Sequence, residues 1–193
     1  QSYETIRASV NARGVSGPAD YNLDFTHFET DGYRDHSAAQ RESGNGKLNL
    51  KIGDGGKLTL LANTVNIPGA QDPLGLTRAQ FEADPRSVAT AAETFNTRKT
   101  VQQSQGGAIY EQDIGGGNTL RLMGYYGQRG VTQDLSSPVA TQGNPLHSGG
   151  VVDLDGNYGG TDLRWVWKGA LAVRSFEVAA GINYDEQDHN RKG

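Results

Sequence analysis

Residues suited to anion recognition gather in two polar stretches of this chain. Tyr33, Arg34, His36 and Arg41 lie in the first, and Arg78, Phe81, Arg86 and Arg98 in the second. Guanidinium groups grip oxygen anions through two parallel N–H donors and aromatic rings add flat apolar surface, so the set is a candidate ligand-binding surface. Each residue taken singly would serve as well as a solvated or capping side chain. Other motifs carry less. Gly53-Asp54-Gly55-Gly56-Lys57 has the glycines and lysine of a phosphate-binding loop, but Leu58 stands where Ser or Thr is required and no helix follows, which leaves a hairpin turn. Asp153-Leu154-Asp155-Gly156-Asn157 offers alternating oxygens like the start of a calcium loop without the Glu of an EF-hand, and reads as an Asx-rich turn.

His27, His36, His147 and His189 lack the i, i+4 spacing of a helical metal pair. There is no Gly-x-Ser-x-Gly elbow, and nothing in the sequence sets two carboxylates into one pocket. The expectation is therefore no catalytic residues, no metal site and no cofactor, in a protein that is not an enzyme. The absence of cysteine removes disulfides and thiolate ligands. A formal net charge of −4 argues against a nucleic-acid partner, which would call for a net basic patch.

The elements that must position these residues are strands. From Ala108 to Gln128 two alternating runs are joined by Gly115, Gly116, Gly117 and Asn118, the signature of a tight hairpin. Leu120, Leu122, Gly124 and Tyr126 share one face there, and Thr119, Arg121, Met123 and Tyr125 the other. The same alternation runs over Glu4–Arg13, Asp20–Thr30, Lys47–Ile52, Lys57–Asn63, Thr161–Lys168 and Ser175–Asp185, giving about eight strands in four hairpins. Asp31–Asn45, Thr64–Lys99 and Val131–Tyr158 follow no period of two and read as loops. In the second of them Thr77 and Gln80 form a capping box that opens one short helix through Ala83, before Pro85.

Connections are short and glycine-rich within hairpins, and long and polar between them, so every long loop falls at one end. That asymmetry fits a portion of a transmembrane β-barrel: all-β, antiparallel up-and-down hairpins with long extracellular loops. Lys51, Arg121, Asp162, Arg164 and Glu177 are then expected on a wet inner face, and Trp165 and Trp167 towards lipid or an interfacial belt. A hydrophobic content of 35%, a mean hydropathy of −0.62 and 27 glycines suit a sheet that is polar on one side. No apolar run approaches the roughly 18 residues of a spanning helix, and Gln1 onward lacks the pattern of a signal peptide. A complete eight-stranded outer-membrane barrel with a structural or adhesion role, and a soluble β-sandwich binding module, remain alternatives.

Four stretches resemble TonB-dependent outer-membrane receptors of the ferric-siderophore type: Asp31-Gly32-Tyr33-Arg34-Asp35, Asp72-Pro73-Leu74-Gly75-Leu76-Thr77, Phe95-Asn96-Thr97-Arg98-Lys99 and Tyr125-Tyr126-Gly127-Gln128-Arg129. Such receptors are 22-stranded barrels filled by an N-terminal plug. The resemblance implies that residues 1–193 are an internal segment of the barrel domain, with plug and remaining strands absent. It implies a ferric siderophore as ligand of the candidate loop residues, an energy-transducing TonB complex reached through the plug, and outer-membrane lipid around the wall. The polar end Asp188-His189-Asn190-Arg191-Lys192-Gly193 is expected to fray without forming a closing aromatic strand.

Overall fold

The computed structural model describes residues 3–147, 149–171 and 174–193. Its strands are β1 (Ile6–Ser16), β2 (Ala19–Thr30), β3 (Ala39–Ile52), β4 (Gly56–Gln71), β5 (Arg98–Gly115), β6 (Asn118–Asp134), β7 (Val151–Leu171) and β8 (Arg174–Lys192). Short helices α1 (Arg78–Ala83), α2 (Thr90–Phe95) and α3 (Val139–Gln142) lie in the connections. All eight strands form one antiparallel sheet in chain order. Among the described residues β1 and β8 do not pair, so the sheet neither closes into a small barrel nor folds over as a sandwich.

The alternation read from the sequence becomes two continuous faces because partners across a ladder share a side. Leu122 lies opposite Tyr110 and Leu163, and the row continues through Leu58 and Leu50 on one flank and Ile182 on the other. This apolar face is open: Leu122 is 51% exposed and Ile182 72%. The opposite face carries Lys51, Arg121, Asp162, Arg164 and Glu177, all five on the polar side as expected. Charges there are matched across and along strands, with Arg121 Nη1 of β6 2.9 Å and Arg164 Nη2 of β7 itself 3.6 Å from the largely buried Asp162 carboxylate. Lys57 lies 3.8 Å from Glu111.

The apolar band runs diagonally. Along the ladders Val10, in the middle of the apolar run of β1, is level with Asp188, eight residues beyond Ala180 at the middle of the run in β8. Eight residues at about 3.3 Å over seven steps at about 4.8 Å give a slope of about 40°, the strand tilt of a barrel wall.

Strands are longer than alternation alone indicates. Residues 39–45 belong to β3 and 64–71 to β4, β6 continues to Asp134, β7 begins at Val151, and β8 runs to Lys192 where fraying was expected. The reason is a reversal of pattern. Towards the long loops the outward positions become polar (Glu42, Asn66, Gln128, Asp155, Asp188), while inward ones include Ile67, Val101, Val131 and Leu154, a row that lies level across four strands. Val131 is nearly enclosed, at 9% exposed. A run that changes phase midway shows no net period, so it reads as a loop. The true inter-hairpin loops are residues 31–38, 72–97 and 135–150, all at one end, and the second contains α2, which the sequence did not signal.

At the other end the turns are tight. Gly117 has φ +77°, and a Cβ there would run into the Lys168 carbonyl of β7. Gly53 has φ +56° with open space around it. Gly117→Ala should therefore destabilise the sheet by about 2–3 kcal/mol and Gly53→Ala by about 1 kcal/mol in denaturant unfolding in detergent. Equal losses would show that the Lys168 contact does not govern the turn.

Candidate ligand-binding site

Three stretches distant in sequence meet at the long-loop end. The loop 31–38 begins with Gly32 at φ +79°, where a side chain would collide with Ser37. Ser37 Oγ donates to the Arg34 carbonyl and accepts from the Arg34 amide (3.0 Å), closing the loop on itself. From this platform Arg34 crosses to the loop 72–97, where Nε donates to the Ser87 carbonyl (2.9 Å), Nη1 to that of Leu74 (2.6 Å) and Nη2 to that of Pro73 (3.1 Å). Leu74 holds φ +56°, a costly conformation for a branched side chain. Asp72 Oδ1 accepts from its amide (2.9 Å) while Arg34 takes its carbonyl, so hydrogen bonds on both sides offset the strain.

Thr97 is the buried centre of this assembly, 1% exposed. Its Oγ1 donates to the Asp72 carbonyl (2.6 Å), its amide to the Ala92 carbonyl (3.0 Å), and its carbonyl accepts the Asp72 amide (2.9 Å). The same carbonyl lies 2.8 Å from His36 Nε2, placing His36 as a strut between the loops. Asn96, at φ +48°, caps α2 in the left-handed conformation and turns the chain into β5. At the other helix Thr77 and Gln80 complete the expected capping box.

The eight candidate residues thus divide. Arg34 and His36 are engaged with backbone and have little left for a ligand. Arg78 is paired with Glu82 one turn along α1, and Arg98 with Asp134 at 3.3 Å. Arg98 and Arg41 were expected in loops, but they are the first residue of β5 and a residue of β3 opposite Phe28, since the polar strand ends hide their periodicity. Four residues remain open. Tyr33 and Phe81 are 47% and 56% exposed; Arg86 lies with its guanidinium 5.9 Å from the Tyr33 ring centre and 6.0 Å from that of Tyr3, and the Arg41 side chain forms no ion pair among the described residues. The two tyrosines meet edge to face at 5.5 Å, so Arg86 is held by cation–π attraction, and among the described residues its guanidinium donors meet no acceptor.

Sequence reasoning missed Tyr3, Thr97, and a hollow of about 540 Å³ on the polar face lined by Gln103, Gln105, Tyr125, Arg129, Tyr158 and His189. There Tyr125 donates to Asp185 (2.6 Å) and Tyr158 to Gln105 (3.0 Å). Tyr158 lies flat against Gly127, where any Cβ would strike its ring. Strand parity, carried past the apolar band, would have gathered these residues.

Searched against protein-family models, the chain matches none. Solved structures do match over nearly its whole length. The unliganded ferric citrate transporter FecA superposes with a TM-score of 0.78 at 17% identity, covering 98% of this chain and 27% of that one. The open form of the ferric-catecholate import receptor Fiu from E. coli K12 gives 0.75 at 12%, covering 100% and 33%. The fold is that of a TonB-dependent receptor barrel wall. FpvA of P. aeruginosa, bound to a heterologous pyoverdine and iron, gives 0.69 at 13% identity, covering 98% and 27%. The chain therefore spans about a quarter to a third of these three structures, which are transporters or receptors.

Arg34→Lys keeps the charge but loses the planar three-way reach, and Thr97→Val removes one buried donor. Hydrogen exchange of the Asp35 amide, which donates to the Arg86 carbonyl (3.1 Å), reports directly on the loop junction. Its protection should fall about tenfold or more in Arg34→Lys and less in Thr97→Val, for losses of about 1–3 kcal/mol. Unchanged protection in both would disprove the clasp.

Proposed function

We propose that this chain contributes eight wall strands and three extracellular loops to an outer-membrane TonB-dependent receptor that binds and imports ferric siderophores. The observation that carries this reading is the tilted apolar band on one face of an open sheet whose short turns and long loops lie at opposite ends. Such a face suits lipid; the matched charges behind it suit a wet lumen. Trp165 and Trp167 lie at the short-turn margin of the band, and Tyr126 and Tyr184 at the other margin, as in interfacial belts. Trp165 keeps its indole N–H satisfied by Asn118 Oδ1 at 3.0 Å. No helix among the described residues is long and apolar enough to cross a membrane, and a barrel wall has no need of one.

In this reading the remaining strands and the plug belong to other parts of the receptor, the TonB complex acts through that plug, and the chain performs no covalent chemistry. Arg86, Tyr33, Phe81 and Arg41 offer donors and ring faces to the iron chelate, while Arg34, His36 and Thr97 fix the loops that present them.

Two measurements test the reading. Leu122→Arg, on the apolar face, should cost about 2–4 kcal/mol in lipid, whereas Met123→Arg, one residue on and facing the polar side, should cost far less; equal costs would remove the lipid face. The double variant Tyr33→Ala/Arg86→Gln in the intact receptor should weaken ferric-siderophore binding by about tenfold or more without loss of folding. Failure of the unaltered receptor to bind any ferric siderophore would overturn the proposed role.

A further inference from the structure

One ladder row on the outward, apolar-band side of the sheet changes depth as it crosses the wall. Gly46, Ala62, Gly106, Tyr126, Gly159 and Glu186 are paired in succession from β3 to β8. Strand tilt turns this row into a slope. Measured along the barrel axis from the middle of the apolar band, Gly46 lies at about 1 Å, Gly106 at about 7 Å, Tyr126 at about 9 Å and Glu186 at about 15 Å, the last being half the thickness of a hydrocarbon core. The row is hollow on both sides of Tyr126. On the deeper side a trough of about 470 Å³ runs over Gly46, Ala62 and Gly106. Thr64 Oγ1 and Ser104 Oγ at its upper edge bond to each other at 3.0 Å, which leaves the trough apolar. On the shallower side a hollow of about 390 Å³ lies between Tyr126 and Tyr184, bordered by Asn157, Glu186 and Asp188. Tyr126 leans onto β7, where a Cβ at Gly159 would sit 3.4 Å from its ring, and it leaves Gly106 uncovered.

An apolar slot at hydrocarbon depth joined to a polar recess at headgroup depth has the shape of a lipid, and charge selects the headgroup. Above the tyrosines the outward positions of β7 and β8 hold Asp153, Asp155, Glu186 and Asp188 against Lys192 alone. Among the described residues none of these four carboxylates forms an ion pair. Glu186 is steadied by the Tyr184 hydroxyl, which donates to it at 3.3 Å. Such a surface repels a bare lipid phosphate, and no three carboxylates or histidines among the described residues converge to hold a divalent ion against it. A primary ammonium needs only a carboxylate and a ring face. We propose that this slope binds one outer-leaflet glycolipid whose phosphate is capped by an amine. The ammonium meets Glu186 and Asp188 beside the Tyr126 ring, the phosphate accepts from the Asn157 amide, and one acyl chain descends into the trough. The proposal rests on the membrane reading above and gives the outer wall a partner of its own.

The test uses the intact receptor, stripped of lipid in detergent, with native mass spectrometry to count bound molecules. Three probes are titrated: lipid A whose phosphates carry ethanolamine phosphate, the same lipid A uncapped, and soluble ethanolamine phosphate. Capped lipid A should bind about tenfold or more tighter than uncapped. Glu186→Gln/Asp188→Asn, exposed and isosteric, should bring the two lipids within about twofold of each other. Ala62→Leu/Gly106→Leu fills the trough from the lipid side, where a Cβ at Gly106 meets nothing nearer than 3.8 Å. It should weaken both lipids by about tenfold and keep the preference for the cap. Three results overturn the site while leaving the lipid-facing wall intact: equal binding of the two lipids by the unaltered receptor, an unchanged preference in Glu186→Gln/Asp188→Asn, or uncapped lipid A matching the capped form once Mg²⁺ is added. Soluble ethanolamine phosphate competing at the same concentration as capped lipid A also overturns it, since the trough would then contribute nothing. If neither lipid binds and the receptor stays monodisperse without detergent, the membrane reading falls with the site.

Discussion

A sheet that separates hydrocarbon from water must satisfy both with one backbone, and its side-chain period of two is what makes this feasible. Each ladder bond fixes which side chains share a face, so a single register decides the solvent of every residue on eight strands. A slip of one residue in β6 would carry Arg121 into the apolar band and Leu122 among the charges. Against that, the continuous pairing from β1 to β8 and the cross-strand ion pair of Arg121 with Asp162 act as register pins, since Arg121 on β6 reaches that carboxylate of β7 in the observed alignment.

The same constraint explains why the central hairpin was legible in the sequence and the strand ends were not. Between Ala108 and Gln128 the two faces keep one polarity each, and the structure reproduces the predicted pairing of faces. In β7 the polarity exchanges sides: Leu163 and Trp165 point outward with the apolar band, whereas Leu154 is inward and Asp155 outward. Once water lies outside and loops cover the inside, the pattern inverts, and a search for one phase sees neither half. The four quoted stretches of family resemblance proved more informative than periodicity here. Three of them converge in space: Gly32 and Arg34 from the first, Asp72 and Leu74 from the second, and Asn96 and Thr97 from the third make one hydrogen-bonded junction.

That junction also shows why residue type was an incomplete guide to the site. Arginine was selected for its ability to hold oxygen anions, and Arg34 does hold oxygens, but they are three backbone carbonyls of the neighbouring loop. Arg78 and Arg98 satisfy carboxylates of their own chain. Arg86 is distinguished by aromatic neighbours that orient it without consuming its donors, a difference that only tertiary placement reveals.

The three loops are consequently unequal as mechanical parts. Residues 31–38 and 72–97 are stapled together by Arg34, His36 and the Asp35–Arg86 backbone bond, and form a stiff buttress over β2–β5. Residues 135–150, including α3, bond internally, and among the described residues they bond to neither of the other two loops. Cooperative opening follows the density of such bonds, so the mouth of the wall has one fixed jaw and one that can swing independently, with Leu146 at its tip 93% exposed.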